Sequence, residues 1–373
     1  MEGKLEKQVQ ELIPLMQSLP KIELHAHING CVRDETLEQL LQESGEPPGP
    51  DAHLLLRRGQ RTLEECFDIF AAIHRLTTRL EAVRRITAEV VNDFRADGVV
   101  YLELRTTPKH NAEKGITKRS YCEAVLAGIG DAACGPSGGD GTGPITVRLL
   151  LSIDRRETAE AAAETVALAV ELARGGIVVG VDLSGNPTLG AFSTWAPALE
   201  AARRAGLRLS LHCGEVPNRS EVLEMLSFRP ERLGHASTAA NSDEELRAAL
   251  VESAIPVELC LTSNVLSGTV PDFGDHHLRD LRAAGHPLCL CTDDSGVFQT
   301  TLSREFALAA ASFCLDGGEL WSLSSGALLF IFAGAAVEAA LRSTHFGRPR
   351  QDAWMERFRV SGASPASATC LSI

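Results

Sequence analysis

Positive charge is in short supply in this chain. Its 373 residues carry 36 Lys and Arg against 49 Asp and Glu, a formal net charge of −13. That balance argues against a general binder of nucleic acid or anionic membrane, which needs stripes of Lys and Arg. It leaves room for one small anionic ligand in a local pocket. Long apolar runs are also missing. The longest uncharged one, Gly326 to Val337, falls short of the roughly 20 residues that span a bilayer. The opening MEGKLEKQVQELIPLMQ puts charge into every turn and contains no apolar stretch of signal-peptide type. With no such signal expected, the ten cysteines read as reduced thiols of a cytoplasmic protein, buried as small hydrophobes, and no two of them form a C-x-x-C pair. Glycine-rich Cys134–Pro144 lacks the G-K-[ST] ending of a phosphate-binding P-loop.

What the chain does have is rhythm. Eight segments rich in β-branched and aliphatic residues end at polar clusters: Ile22–Ile28, Val99–Thr106, Ile145–Asp154, Ile177–Ser184, Leu207–His212, Arg232–His235, Pro256–Ser263 and Pro287–Asp293. The starts Ile177, Leu207, Arg232, Pro256 and Pro287 are separated by 30, 25, 24 and 31 residues, the pitch of a strand, a helix and two loops. Between them lie amphipathic helices. Glu157–Ala173 and Asp243–Glu252 are two, and Arg61–Thr78 opens with a Thr62-x-x-Glu65 capping box. The alternation favours a parallel (β/α)8 TIM barrel, although an open doubly wound sheet would show the same rhythm. A single barrel domain is expected over 1–373, with its core at about 19–341. Gly45–Arg58 and Cys134–Pro144 read as surface loops, and 343–373 as an irregular, partly disordered tail.

Catalytic groups of such a barrel come from the C-terminal ends of its strands. The eight ends carry His25 and His27; Arg105, Thr106 and Thr107; Asp154; Asp182 and Gly185; His212 and Glu215; His235; Ser263 and Asn264; Asp293 and Asp294. Packing alone does not need that collection. His25 and His27 lie two apart on a strand and project to one face, either as metal ligands or as a hydrogen-bonded pair. With His212 and Asp293 they make three imidazoles and a carboxylate, a set suited to a zinc-like ion with one open position. Glu215 stands close enough to His212 to handle a proton, unless it is simply a solvated loop carboxylate. His235 reads equally as a structural histidine. Adjacent Asp293 and Asp294 are costly together unless a cation or a proton separates them.

Leu19-Pro-Lys-Ile-Glu-Leu-His-Ala-His27 with Asn29-Gly30, Asp182-Leu-Ser-Gly185, His212-x-x-Glu215, Gly234-His235, Leu261-Thr-Ser-Asn264 and Cys291-Thr-Asp-Asp294 resemble the adenosine deaminase superfamily. The likeness runs from about Leu19 to Leu341. It implies one zinc ion held by His25, His27, His212 and Asp293, and hydrolysis at C6 of an adenine-type ring. It further implies that Glu215 donates a proton to ring N1, and that His235 accepts or orients the proton of water. Asp293 would hold the attacking oxygen, Asp294 would bond ring N7, and the Gly185 N–H ring N3. The cytidine-deaminase type is excluded by the missing C-x-x-C.

Asn29 stands where adenosine deaminases carry Asp to meet the ribose. Removing that charge spares a nucleotide phosphate 4–6 Å away a repulsion of about 3 kcal/mol at an effective dielectric near 20. Arg105-Thr106-Thr107-Pro108-Lys109 offers two hydroxyls and a cation for a phosphate. With Arg61-Thr-Leu-Glu-Glu-Cys66 and Ile73-His74-Arg75-Leu76-Thr77, these segments are similar to the adenosine-deaminase-like subfamily that converts N6-methyl-AMP to IMP and methylamine. That resemblance implies nucleotide contacts at His27, Asn29, His74, Thr106, Thr107, Pro108, Lys109, Asp154 and Gly185. Lys109 departs from the Arg expected there, keeping the charge without the fork. A purine nucleotide is thus the expected partner of a monomer that takes no nucleic acid or membrane. Adenosine deamination is the alternative reading, and a catalytically silent purine-binding barrel a remote one.

Overall fold

The computed structural model describes residues 2–44, 62–134, 144–241 and 243–361. The expected Gly45–Arg58 loop and residues 135–143 lie outside them. Eight strands form one sheet in sequence order: β1 Lys21–His27, β2 Val99–Thr106, β3 Thr146–Asp154, β4 Val178–Ser184, β5 Arg208–Cys213, β6 Arg232–His235, β7 Val257–Leu259 and β8 Leu288–Leu290. Every neighbouring pair is parallel. The seam closes just beyond β8, where Ala26 bridges Asp293 in parallel. There Asp293 N donates to His25 O at 2.8 Å and His27 N to Asp293 O at 3.2 Å. The chain is therefore a (β/α)8 barrel, and three of its expected metal ligands sit at the closure itself.

Strand alternation sorts the side chains. Ile22, Leu24 and Ala26 of β1, like Leu102 and Leu104 of β2, are fully buried and join the hydrophobic core. Each such side chain contributes about 1.5–3 kcal/mol. The alternate positions carry Glu23, His25, Glu103 and Arg105, also at 0% exposure. His25, Glu103 and Arg105 pair inside the barrel with Asp182, Arg232 and Glu258, while Glu23 accepts from His25 N and from Thr292.

Helix starts follow their caps. Thr62 and Glu65 form the reciprocal capping box ahead of the helix Leu63–Leu76. Asp243 caps Glu244–Ser253 by accepting from Glu245 N and Leu246 N. Two expectations are corrected. β7 and β8 stop earlier than the aliphatic runs, and after β7 the chain leaves the sheet at Cys260 and turns into the helix Leu261–Leu266. Ser263 and Asn264 thus sit on a helix rather than a strand end. Nor is the tail irregular from 343: helices occupy Ala335–His345 and Arg348–Val360, and residues 362–373 lie outside the description.

Seven cysteines, Cys31, Cys66, Cys122, Cys213, Cys260, Cys289 and Cys291, are buried thiols outside any disulfide. Partly exposed Cys314, just past the helix Leu302–Phe313, is disulfide-bonded, which corrects the reading of all ten as thiols. Among the described residues, no helix is long and apolar enough to cross a membrane.

Candidate active site

The histidines of β1 and β5 are oriented from behind by carboxylates. His25 Nδ1 lies 2.7 Å from Glu258 Oε2, and His212 Nδ1 lies 2.9 Å from Asp182 Oδ1. A carboxylate can only accept, so each Nδ1 carries hydrogen and each Nε2 presents a lone pair. His25 Nε2 is buried and makes no hydrogen bond. It stands 3.4 Å from Asp293 Oδ1, as does His27 Nε2, and His27 Nε2 stands 3.1 Å from His212 Nε2. Tetrahedral ligands at about 2.0–2.1 Å from a zinc-type ion are separated by about 3.3–3.4 Å, close to these spacings. An orphaned buried nitrogen and lone pairs aimed at one another fit a metal ion among them. Donor atoms of His25, His212, His235 and Asp293 lie within 4.8 Å of one another.

The shifts of His27 and Asp293 agree with that geometry, whereas that of His212 favours its protonated form while no cation faces it. Burial pushes His27 well below its ordinary pKa, helped by neighbouring His212 and His25, which keeps it neutral. Burial also acts on His212, but Asp182 outweighs it and shifts the imidazole upward. Burial would raise Asp293, yet the surrounding histidines hold it well below the carboxylate range.

Opposite stand two carboxyls pushed the other way. Burial, reinforced by Asp293, raises Glu215 on the loop after β5. Burial and then Asp293 raise Asp294 well above its usual range. Both are disposed to carry a proton. His235 Nε2 is 3.9 Å from Glu215 Oε2 and 3.9 Å from Asp293 Oδ2. Burial pushes His235 well below its ordinary value. Ser263 Oγ donates to Asp293 Oδ2 at 2.7 Å. His235 and Asp293 both take left-handed backbone, at φ 60° and 65°, a strain that persists only where the surroundings impose it.

The site opens into a cleft at the C-terminal mouth of the barrel. Its lining includes His27, Asn29, His74, Thr106, Thr107, Asp154, Gly185, Glu215, His235 and Asp294. Asn29 is held at both ends: Tyr121 Oη donates to its Oδ1 and its Nδ2 donates to Thr77 Oγ1, each at 3.1 Å. Gly185 has φ 97°, and a β-carbon there would meet Asp154 Oδ1 at 2.8 Å.

Pro108 and Lys109 stand outside the lining, although Lys109 lies near enough to act electrostatically on His74 and Asp154. Burial, then Lys109 and Arg156, drive His74 down to about 3, so it is neutral. Burial lowers Lys109 to about 8 against the pull of Asp154. Arg105 is corrected: it is spent inside the barrel on Glu258, Asp182 and Leu24 O, not held out for a phosphate.

Sequence reasoning missed Arg156, Glu258 and the aromatic wall of Phe67, Phe70 and Phe298. Arg156 Nε grips Asp154 Oδ1 at 2.9 Å and lines the cleft. Its signal was an Arg two residues after a flagged strand end. A charge mid-strand was the signal for Glu258.

Residues 20–344 match the family model described as Adenosine deaminase. The chain belongs to the adenosine deaminase family. It is 48% identical over 345 residues to the Arabidopsis thaliana protein named N6-mAMP deaminase, covering 88% of this chain and 96% of that one. Identity to the Homo sapiens N6-methyl-AMP deaminase is 42% over 332 residues, covering 87% and 92%. The crystal structure of Arabidopsis ADAL complexed with IMP superposes with TM-score 0.83 at 44% identity, covering 92% of this chain and 99% of that one. Within this family, the spatial arrangement of the buried histidines, Asp293, Glu215 and Asp294 is the part that bears on chemistry.

Proposed function

We propose that this chain is a zinc-dependent deaminase of purine nucleoside monophosphates, converting N6-methyl-AMP and water to IMP and methylamine. One observation carries the chemistry: a cage of inward-facing imidazole lone pairs and Asp293 faces carboxyls disposed to stay protonated. His25, His27, His212 and Asp293 would hold the zinc. When bound, the ion lowers the pKa of water toward about 7 and so makes a nucleophile available at neutral pH.

The protein's own groups do the rest. Addition of an oxygen at purine C6 breaks the aromatic ring, so ring N1 must gain a proton. Protonated Glu215 donates it; the resulting carboxylate takes the hydrogen of the added C6 oxygen and passes it to the departing nitrogen as the C6–N6 bond breaks and a C6 carbonyl forms, and solvent, which receives the first proton of water, restores the acid. Asp294, also protonated, donates to N7, which can only accept. Asp293 holds the attacking oxygen in line, and the Gly185 N–H meets N3.

The far end of the cleft supports a phosphate. Arg156 supplies a cation in the lining and Lys109 a second one behind it, His74 stays neutral, and Asn29 is an amide where a carboxylate would repel. His27, Asn29, His74, Thr106, Thr107, Pro108, Lys109 and Asp154 would contact ribose and phosphate. Relatives named for N6-methyl-AMP favour that substrate. The chain is proposed to work as a monomer in the cytoplasm, since one chain supplies every group invoked.

The test is a substrate panel with metal analysis on the same preparation. Methylamine release from N6-methyl-AMP, in preference to ammonia from AMP or adenosine, is expected with about one zinc per chain. Preference for adenosine would overturn the nucleotide assignment.

A further inference from the structure

His235 is steered by a hydrogen-bond chain that begins on the loop preceding the helix Leu278–Ala283. Leu278 N donates to His276 Nδ1 at 3.1 Å. A backbone N–H cannot accept, so His276 Nδ1 carries no hydrogen and the ring is neutral, with its hydrogen on Nε2. Burial, with His277 and His235 nearby, acts in the same direction on His276. His276 Nε2 therefore donates across 3.1 Å to Asn264 Oδ1.

That fixes the amide. Asn264 Nδ2 faces His235 Nδ1 at 3.1 Å and Thr269 Oγ1 at 3.3 Å. Thr269 Oγ1 spends its own hydrogen on Asn264 O at 3.1 Å, which leaves lone pairs toward Nδ2. A flipped amide would set N–H against the His276 N–H and oxygen against the Thr269 oxygen. The orientation is thus over-determined. Asn264 Nδ2 donates to His235 Nδ1, so a neutral His235 bears its hydrogen on Nε2. His277 Nε2, donating to His235 O at 2.8 Å, pins the backbone of the same residue.

We infer that Asn264 and His276 are positioning residues that set His235 as its Nε2–H tautomer. It then enters the reaction as a hydrogen-bond donor to the oxygen nucleophile, not as the group that takes its proton. This resolves the two roles left open for His235, and the donor role rests on the deaminase reading. The space this hydrogen faces lies between Asp293 Oδ2 and Glu215 Oε2, each 3.9 Å from Nε2. A fixed donor there costs no reorganisation as negative charge moves through the site.

The decisive experiment is long-range 1H–15N correlation on protein labelled at histidine, with the His235 signals assigned by their loss in His235→Gln. The expected result is a protonated, pyrrole-type Nε2 and an unprotonated Nδ1. Asn264→Asp replaces the donor with an acceptor, so the hydrogen should move to Nδ1. kcat should then fall about 10²-fold with KM within about threefold, the scale of removing one preorganised donor. His276→Gln keeps an N–H for Asn264 and should retain the wild-type tautomer, whereas His276→Leu should give mixed signals and lower kcat. A wild-type Nδ1–H signal overturns the proposal. So does Asn264→Asp that loses activity while His235 keeps hydrogen on Nε2, because the role would then be structural alone. Wild-type protein showing the Nε2–H signal yet deaminating no purine nucleotide supports the tautomer assignment and removes the deaminase reading instead.

Discussion

Glu258 and His25 face each other at 2.7 Å in the barrel interior, both at 0% exposure. The same carboxylate accepts from Arg105 Nη2 at 2.9 Å and Ser210 Oγ at 2.9 Å, and pairs with Arg232. One group therefore orients the His25 imidazole and shares in balancing two buried guanidiniums, with Asp182 and Glu103 as their other partners. Burial alone would push Glu258 up, but Arg105 and Arg232 hold it well below the carboxylate range.

Glu258→Gln should fail on two counts. Losing the carboxylate behind a ligating histidine weakens metal affinity about 10–100-fold, read as zinc retained after dialysis against a graded chelator. Uncovering the buried arginines should cost about 3–5 kcal/mol, read by denaturant unfolding. Wild-type metal retention would dismiss the orienting role, whatever the stability.

Gly30 makes room for Asp294. A β-carbon at position 30 would stand 1.6 Å from Asp294 Oδ1, so Gly30→Ala must displace that carboxyl. Metal content should stay normal while turnover drops about 10²-fold, the cost of misplacing a contacting group by an ångström. Unchanged kcat with N6-methyl-AMP would mean that Asp294 does not touch the ring.

Glu215→Gln keeps the shape of the side chain and removes the proton cycle. Since Glu215 lies outside the expected ligand set, zinc should remain, and turnover should fall by at least about 10²-fold. Near-normal turnover would take the general-acid role away from it.

How far the fold was legible depended on periodicity. Aliphatic runs that stop at polar clusters located all eight strands, and the cap at Thr62 gave the start of its helix, because both signals are local. The helices Ala335–His345 and Arg348–Val360 escaped because each fully buries a single residue, Leu341 and Trp354 respectively. One anchor leaves no stripe to read. Within the site, the strand ends pointed to His25, His27, His212, His235 and Asp293, and the fold brings these side chains together. Partnerships were invisible wherever they join distant segments: His276 with Asn264, or Glu258 with His25 across 233 positions. Arg105 was misjudged because a cation beside two threonines looks like a phosphate cradle, whereas strand alternation turns it toward Asp182 and Glu258.

Lys109 gives the pH test. Burial lowers it to about 8, so it is a cation below that pH and loses its charge as pH rises through it. A substrate phosphate is already doubly charged above its second pKa of about 6, so over this interval only the protein side changes. KM for N6-methyl-AMP should therefore climb between pH 7 and 9, with little movement for the corresponding nucleoside. Arg156, raised above its ordinary value chiefly by its bond to Asp154, remains charged and sets the floor of the affinity left at high pH. In Lys109→Ala the monophosphate should bind about tenfold more weakly at pH 7, the loss of roughly one partly screened charge contact, and its pH dependence should flatten. Equal loss for nucleotide and nucleoside would show that Lys109 does not act on the phosphate.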